Sequence, residues 1–92
     1  MSVPLQKRAR AFLERAVPAG LDYVPNSLAE RWIKTYAKRG RISVEPATLE
    51  LMELVIAESQ ERAGGEPLPE VADYFRESTA LLEAIHTEAS QE

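Results

Sequence analysis

The six prolines and four glycines of this 92-residue chain fall into a few clusters that divide it into four segments. Proline breaks a helix interior and glycine disfavours one, so the clusters mark where helices end. Within each segment, apolar residues recur at intervals of three and four, which is the period of an amphipathic helix. We therefore expect an all-α fold, a small bundle of about four helices, with predicted spans of approximately residues 4–17, 27–39, 46–63 and 70–88.

Local signals at the predicted helix ends support these boundaries. Ser27 followed three residues later by Glu30 is the pattern of a capping box, in which two side chains satisfy amide donors at a helix start. Gly40 can adopt the left-handed conformation that ends many helices, and Gly64-Gly65 is expected to stop the third helix. The alternating, β-branched stretch at 41–44 predicts a short extended connector.

The length of the chain limits what it can be. Ninety-two residues predict a single helical domain over 1–92, with the last few residues frayed, and a modest core that leaves room for burial against a partner. The sequence contains no cysteine, which excludes disulfide frameworks and thiolate metal sites. It has no apolar run of the ~18 residues needed to span a membrane and no signal-peptide pattern, so we expect a cytoplasmic protein and no membrane partner.

Charge is distributed very unevenly along the chain. Residues 1–44 carry nine Lys or Arg against three Asp or Glu, a net charge of +6. Residues 45–92 carry two Lys or Arg against twelve Asp or Glu, a net charge of −10. The overall net charge of −4 therefore hides a basic N-terminal half and an acidic C-terminal half.

The second predicted helix separates apolar and basic residues onto opposite faces. Arg31, Lys34 and Lys38 follow one another at i, i+3 and i+7, opposite the apolar residues. Arg8 and Arg15 make a similar flank on the first helix, and the two rows could merge with the cations that follow Lys38. The predicted contact residues for a partner or for phosphates are Arg8, Arg15, Arg31, Lys34, Lys38, Arg39 and Arg41.

Three explanations of these cations remain open: a solvated helix surface, a site for an acidic protein, or a site for nucleic acid. Lys38 and Arg39 are also favoured at a helix C-terminus by the helix dipole. The acidic half lies close by in the same chain and would repel phosphates. The basic face also lacks a cluster of Asn, Gln or Arg free to read base edges, which argues against sequence-specific DNA binding.

The fourth predicted helix carries a narrow apolar seam. Val71, Phe75, Leu82 and Ile85 alternate by four and three residues with Ser78 in the middle. This is coiled-coil spacing over about two and a half heptads, fewer than the three or four that identify a coiled coil. Packing within the bundle and homodimerisation through the seam are both consistent with this pattern.

The third predicted helix is apolar over a wide arc, which is typical of a central helix in a bundle. Leu54 is exceptional because it lies among the glutamates of that helix. It is either a singly exposed leucine, which is common in proteins, or an anchor for a partner.

Few residues suggest catalysis or metal binding. Glu83 and His86 have the Glu-x-x-His spacing of carboxylate-bridged metal sites in bundles, but such a site needs two of these motifs and further glutamates. They are weak metal candidates, and we expect no cofactor. Gly64-Gly65 has neither the preceding strand nor the following Lys-Ser/Thr of a phosphate-binding loop. No catalytic residues are predicted.

We therefore expect a small non-enzymatic protein-binding module, such as a regulator, an adaptor or an accessory subunit. The alternative is a nucleic-acid-associated protein that contacts phosphates through the basic face of its first two helices. A third hypothesis is a dimeric metal-binding bundle that uses Glu83 and His86.

Overall fold

A computed structural model describes residues 4–16 and 27–91, with the backbone alone at 15, 16 and 27, and these residues form four helices. No residue in the described ranges forms a strand, so the predicted all-α bundle is confirmed. None of these helices has the length and hydropathy required to span a bilayer. The helices are α1 (Leu5–Ala16), α2 (Ser27–Arg39), α3 (Pro46–Gly65) and α4 (Pro69–Ser90).

The helix ends agree with the sequence signals to within about two residues. Pro46 begins α3, with Glu45 at the N-cap. Arg41 and Ser43 of the connector are exposed while Ile42 and Val44 are half-buried, as expected of an extended segment lying along the core. Helix α3 continues through both glycines, which keep negative φ angles, instead of ending before them. The predicted Ser27 side-chain cap lies outside the described part of the structure.

Helix α4 is the central helix of the bundle. It packs against α1, α2 and α3, whereas α3 packs mainly on α4 and touches α2 at only a few positions. Eight residues of α4 are buried, compared with four of α3. The expectation that α3 is central was wrong because α3 is apolar on two faces, and only the face with Met52 and Val55 is buried.

The apolar seam of α4 packs against other helices of the same chain. Phe75, Leu82 and Ile85 are buried in the core, and Val71 is half-buried against it. Of the two interpretations of the seam, the structure shows packing within the bundle: the surface proposed for a possible dimer is covered by the other helices of the same chain. The core also contains a stacked aromatic pair between α1 and α4, Phe12 and Tyr74, whose ring centroids lie 4.9 Å apart.

Ser78 is buried in the middle of the seam, and its hydroxyl group is hydrogen-bonded within α4. Its Oγ donates to the carbonyl oxygen of Phe75 at 2.9 Å, and Thr79 Oγ1 donates to the same oxygen at 2.7 Å. A buried hydroxyl without a partner would cost about 1–3 kcal/mol, so this back-bonding permits a polar residue at a fully buried position.

The C-terminal end of α2 is hydrogen-bonded to side chains of α1. Gln6 Nε2 and Arg10 Nε both donate to the carbonyl oxygen of Ala37, at 3.1 and 2.8 Å. Gly40 has φ = 77° and its N–H donates to Tyr36 O at 2.7 Å, which is the left-handed termination predicted from the sequence. Two side chains from α1 and one glycine thereby satisfy carbonyls at the end of α2 that the helix itself cannot satisfy.

A further hydrogen bond joins the same end of α2 to α4. The buried Tyr36 donates its hydroxyl proton to Glu88 Oε2 at 2.6 Å. The pKa of Tyr36 is raised from 10 to about 12. The largest cause is burial, and the hydrogen bond to Glu88 and the negative charge of that carboxylate raise it further. The neutral phenol is therefore the form that the folded chain stabilises.

We predict opposite effects for alanine at two glycines. Gly40→Ala is expected to lower the free energy of unfolding by about 1–2 kcal/mol, because φ is positive and the new Cβ would lie 3.0 Å from Gln6 Oε1. Gly64→Ala is the matched control: its Cβ meets nothing within 4 Å, so better helix propensity is expected to raise the stability by up to about 1 kcal/mol. Urea unfolding monitored by circular dichroism measures both, and equal changes at the two positions would contradict the termination described for α2.

A pH dependence follows from the raised pKa of Tyr36. Because the folded pKa lies above that of the unfolded chain, the stabilisation is complete below pH 10 and is lost as the pH rises through about 12. Urea unfolding at several pH values between these limits should show a steeper fall in stability for the wild type than for Tyr36→Phe. Identical slopes for the two proteins would mean that the tyrosine does not couple to folding.

Candidate functional site

The outer face of α2 presents cations to solvent. Arg31, Lys34 and Lys38 are exposed, while the residues of the opposite face, including Trp32 and Tyr36, are buried. The three cations lie within eight residues, which separates the first from the last by about 10 Å along the helix. Exposed arginines at the end of α2 and in the connector continue this face. We call five of these residues the α2 cationic surface: Arg31, Lys34, Lys38, Arg39 and Arg41.

Almost none of this positive charge is neutralised within the described part of the chain. Lys34 Nζ lies 2.7 Å from Glu30 Oε1 of its own helix, and the Lys34 side chain remains 61 % exposed. An exposed pair one helical turn apart contributes only about 0.3–0.5 kcal/mol, so a partner can compete for this lysine. The other four members make no salt bridge or hydrogen bond with any described residue.

Among the residues that the structure describes, the acidic half of the chain does not cover the α2 cationic surface. No described carboxylate of α3 or α4 contacts the α2 cationic surface. Glu58 pairs with Arg62 of α3 at 3.2 Å, and Asp73 pairs with Arg76 of α4 at 2.8 Å. The charge separation seen in the sequence therefore persists as separate surfaces of the folded chain.

Arg8 does not extend the α2 cationic surface as predicted. It is exposed, but Gln6 and Arg10 are the α1 residues that reach the end of α2. Arg8 lies two residues from each of them, about 200° away around the helix, and so belongs to the opposite flank of α1. The side chain of Arg15, which was expected to share that flank, lies outside the described part.

Arg10 also lies beside the end of α2, although it was not among the predicted contact residues. Its Nε donates to Ala37 O at the C-terminal end of α2, where the helix dipole also favours positive charge. The available signal was its spacing from Gln6, since residues four apart on one flank of a helix contact the same neighbour. Arg10 therefore adds a fixed positive charge beside the cations at the end of α2.

A shallow pocket of about 340 Å³ lies at the junction of α2 and the connector. Two arginines and two hydroxyl residues supply its polar groups, together with the half-buried Ile42. Guanidinium groups can only donate hydrogen bonds, and their planar fork matches a carboxylate or a phosphate. The pocket can thus accept an acidic side chain. Its lining residues are Thr35, Arg39, Arg41, Ile42 and Ser43.

The weak metal candidates Glu83 and His86 do not meet further metal ligands within the described part of this chain. Glu83 Oε1 accepts a hydrogen bond from Gln60 Nε2 at 2.6 Å, while His86 Nε2 lies 3.5 Å from Glu53 Oε1 of α3. Among the described residues there is no group of three or more His, Asp or Glu side chains that could hold a metal ion. The carboxylate and the imidazole instead face different residues of α3.

Similarity to known proteins does not assign a role to the α2 cationic surface. Comparison with protein-family models, with curated proteins and with solved structures found no match. The functional interpretation of this surface therefore depends on the chemistry and placement of its side chains.

Proposed function

We propose that this chain is a small, non-enzymatic protein-binding module that recognises acidic side chains of a partner protein through the α2 cationic surface. The observation that carries the proposal is that four of its five cations contact no carboxylate in the described chain. Exposed, uncompensated charge on one face attracts a surface of opposite charge and speeds its association. Such a module would act as a regulator, an adaptor or an accessory subunit.

The rigid attachment of α2 supports this proposal. Gln6 and Arg10 hold its last turn from α1, and Tyr36 holds it from α4. A surface whose backbone is already fixed loses little conformational entropy when a partner binds. The pocket beside Arg39 and Arg41 adds a defined place for one acidic side chain.

An acidic protein fits this surface better than a nucleic acid does. The exposed carboxylates of α3 and α4 belong to the same small molecule and repel a long phosphate backbone, while a protein can place its acidic groups locally. Helix α2 and the connector at 41–44 also contain no Asn or Gln, the residues that recognise adenine edges. Phosphate contact through the same cations is the alternative function.

We predict that reversing two charges on α2 removes the partner. Affinity capture from cell lysate would compare the wild type with Lys34→Glu/Lys38→Glu, followed by mass spectrometry. The matched control is Lys7→Glu/Arg8→Glu, which changes two exposed cations of α1 and alters the net charge by the same amount. Proteins retained by the wild type and the control should bind the α2 variant at least about tenfold more weakly, as expected for close charge pairs.

Two results of this comparison would contradict the proposal. Equal loss of partners from both variants would mean that net charge, and not the α2 cationic surface, controls binding. Undiminished binding by the α2 variant would mean that the partner contacts another part of the chain. Circular dichroism of each variant checks that the helices are intact.

A separate measurement tests the nucleic-acid alternative. At about 50 mM salt, we expect no binding of the purified chain to duplex or single-stranded DNA. Binding whose affinity falls with salt at a log–log slope near −0.9 for each phosphate neutralised, and which Lys34→Glu/Lys38→Glu abolishes, would replace the protein-binding proposal with the phosphate-binding one.

A further inference from the structure

The outward face of α3 combines exposed leucines with carboxylates. Leu54 is 68 % exposed and Leu51 is 39 % exposed, and with Ala47 they follow one another at i, i+4 and i+7 along one stripe. Exposed Glu50 lies beside this stripe, and exposed Glu58 and Glu61 continue it toward the C-terminal end of α3. We call these six residues the α3 outer face: Ala47, Glu50, Leu51, Leu54, Glu58 and Glu61.

Little of the α3 outer face is used to hold the fold together. Met52 and Val55, on the inner face of α3, are buried against the bundle. Glu50 and Glu61 make no salt bridge or hydrogen bond with a described residue, and Glu58 pairs only with Arg62 of its own helix. Both the apolar and the acidic groups of this face are therefore accessible to another molecule.

We propose that the α3 outer face is a second docking surface and that it binds a basic amphipathic helix of another protein. Apolar side chains of that helix pack on Leu51 and Leu54, and its flanking Lys or Arg residues reach the glutamates. Charge complementarity identifies the occupant, because an apolar strip bordered by carboxylates is matched by an apolar strip bordered by cations. The face extends over 15 residues, from Ala47 to Glu61, about 21 Å, which is the length of about four helical turns in a partner.

A second copy of this chain is a poorer occupant. If two α3 outer faces met symmetrically, Glu50, Glu58 and Glu61 would face their own counterparts, and like charges repel. The α2 cationic surface of another copy would supply positive charge but no large exposed apolar side chain. In the described part of the chain, the large exposed apolar residues are only Leu51, Leu54 and Leu68.

This inference is independent of the proposed function of α2. The two surfaces lie on different helices, carry opposite charge and select partners of opposite sign. If both are used, the chain connects an acidic protein to a basic helix, which is the behaviour of an adaptor.

A designed peptide tests the α3 outer face directly. The probe is a helical peptide of about 14 residues with leucines on one face and lysines beside them, matching the ~21 Å face. Titration into the ¹⁵N-labelled chain, followed by NMR, should shift amide signals within residues 47–61. A control peptide with the same leucines but glutamate in place of lysine should not bind.

Leu54→Ser should weaken the binding of the lysine peptide about fivefold to tenfold, because it removes the most exposed apolar side chain of the face. Leu68→Ser is the matched control: Leu68 is 60 % exposed but lies in the loop before α4, so the affinity should not change. Leu68→Ser should unfold at the same urea concentration as the wild type, and Leu54→Ser only slightly below it, because serine has a lower helix propensity than leucine.

Several outcomes would overturn the proposal. These are equal affinities for Leu54→Ser and the wild type, signal changes spread over the acidic surface of α4, or absence of binding. A fall in the urea midpoint for Leu54→Ser larger than the loss of helix propensity explains would show that this residue packs within the chain. In sedimentation, a wild-type dimer that Leu54→Ser converts to monomer would show that a second copy occupies the face.

Discussion

The structure depends on the burial of α4 against the other three helices. Leu81, Leu82 and Ile85 are fully buried at its centre, and its aromatic residues reach α1 through the stacked pair of Phe12 and Tyr74. A 13-residue helix such as α2 is only marginally stable in isolation, since helices of this length need a packed face. Packing on α4 and α1 therefore keeps α2 helical, and the cations on its outer face owe their fixed spacing to that packing.

The cations at the end of α2 have a structural role that leaves their charge available. Lys38 and Arg39 lie in the last turn, where the helix dipole favours them, while Arg10 hydrogen-bonds to a carbonyl at the same end. The dipole carries only about half an elementary charge at each helix end, so it does not neutralise three cations. Stabilising the helix and attracting an acidic partner are thus compatible functions of the same side chains.

Much of the fold could be predicted from local signals, while the relations between helices could not. Proline and glycine positions act within a few residues of themselves, so they predict helix ends and the left-handed Gly40. Whether Arg8 or Arg10 lies beside α2 depends on which flank of α1 meets that helix, and the two flanks have similar residues. The seam of α4 has the same spacing whether it packs within one chain or between two, so only the structure distinguishes these cases.

The opposite charges of the α2 cationic surface and the α3 outer face raise the question of what prevents copies from joining head to tail. Such contacts do not form a two-fold symmetric dimer and would continue into rings or open chains. At physiological ionic strength, the Debye length of about 8 Å screens exposed charges, and charge attraction alone is weak. Leu51 and Leu54 would then contact only the methylene stems of lysine and arginine, whose charged head groups remain in water. The leucines therefore favour a partner that presents both cations and apolar side chains, a combination absent from the described surface of α2.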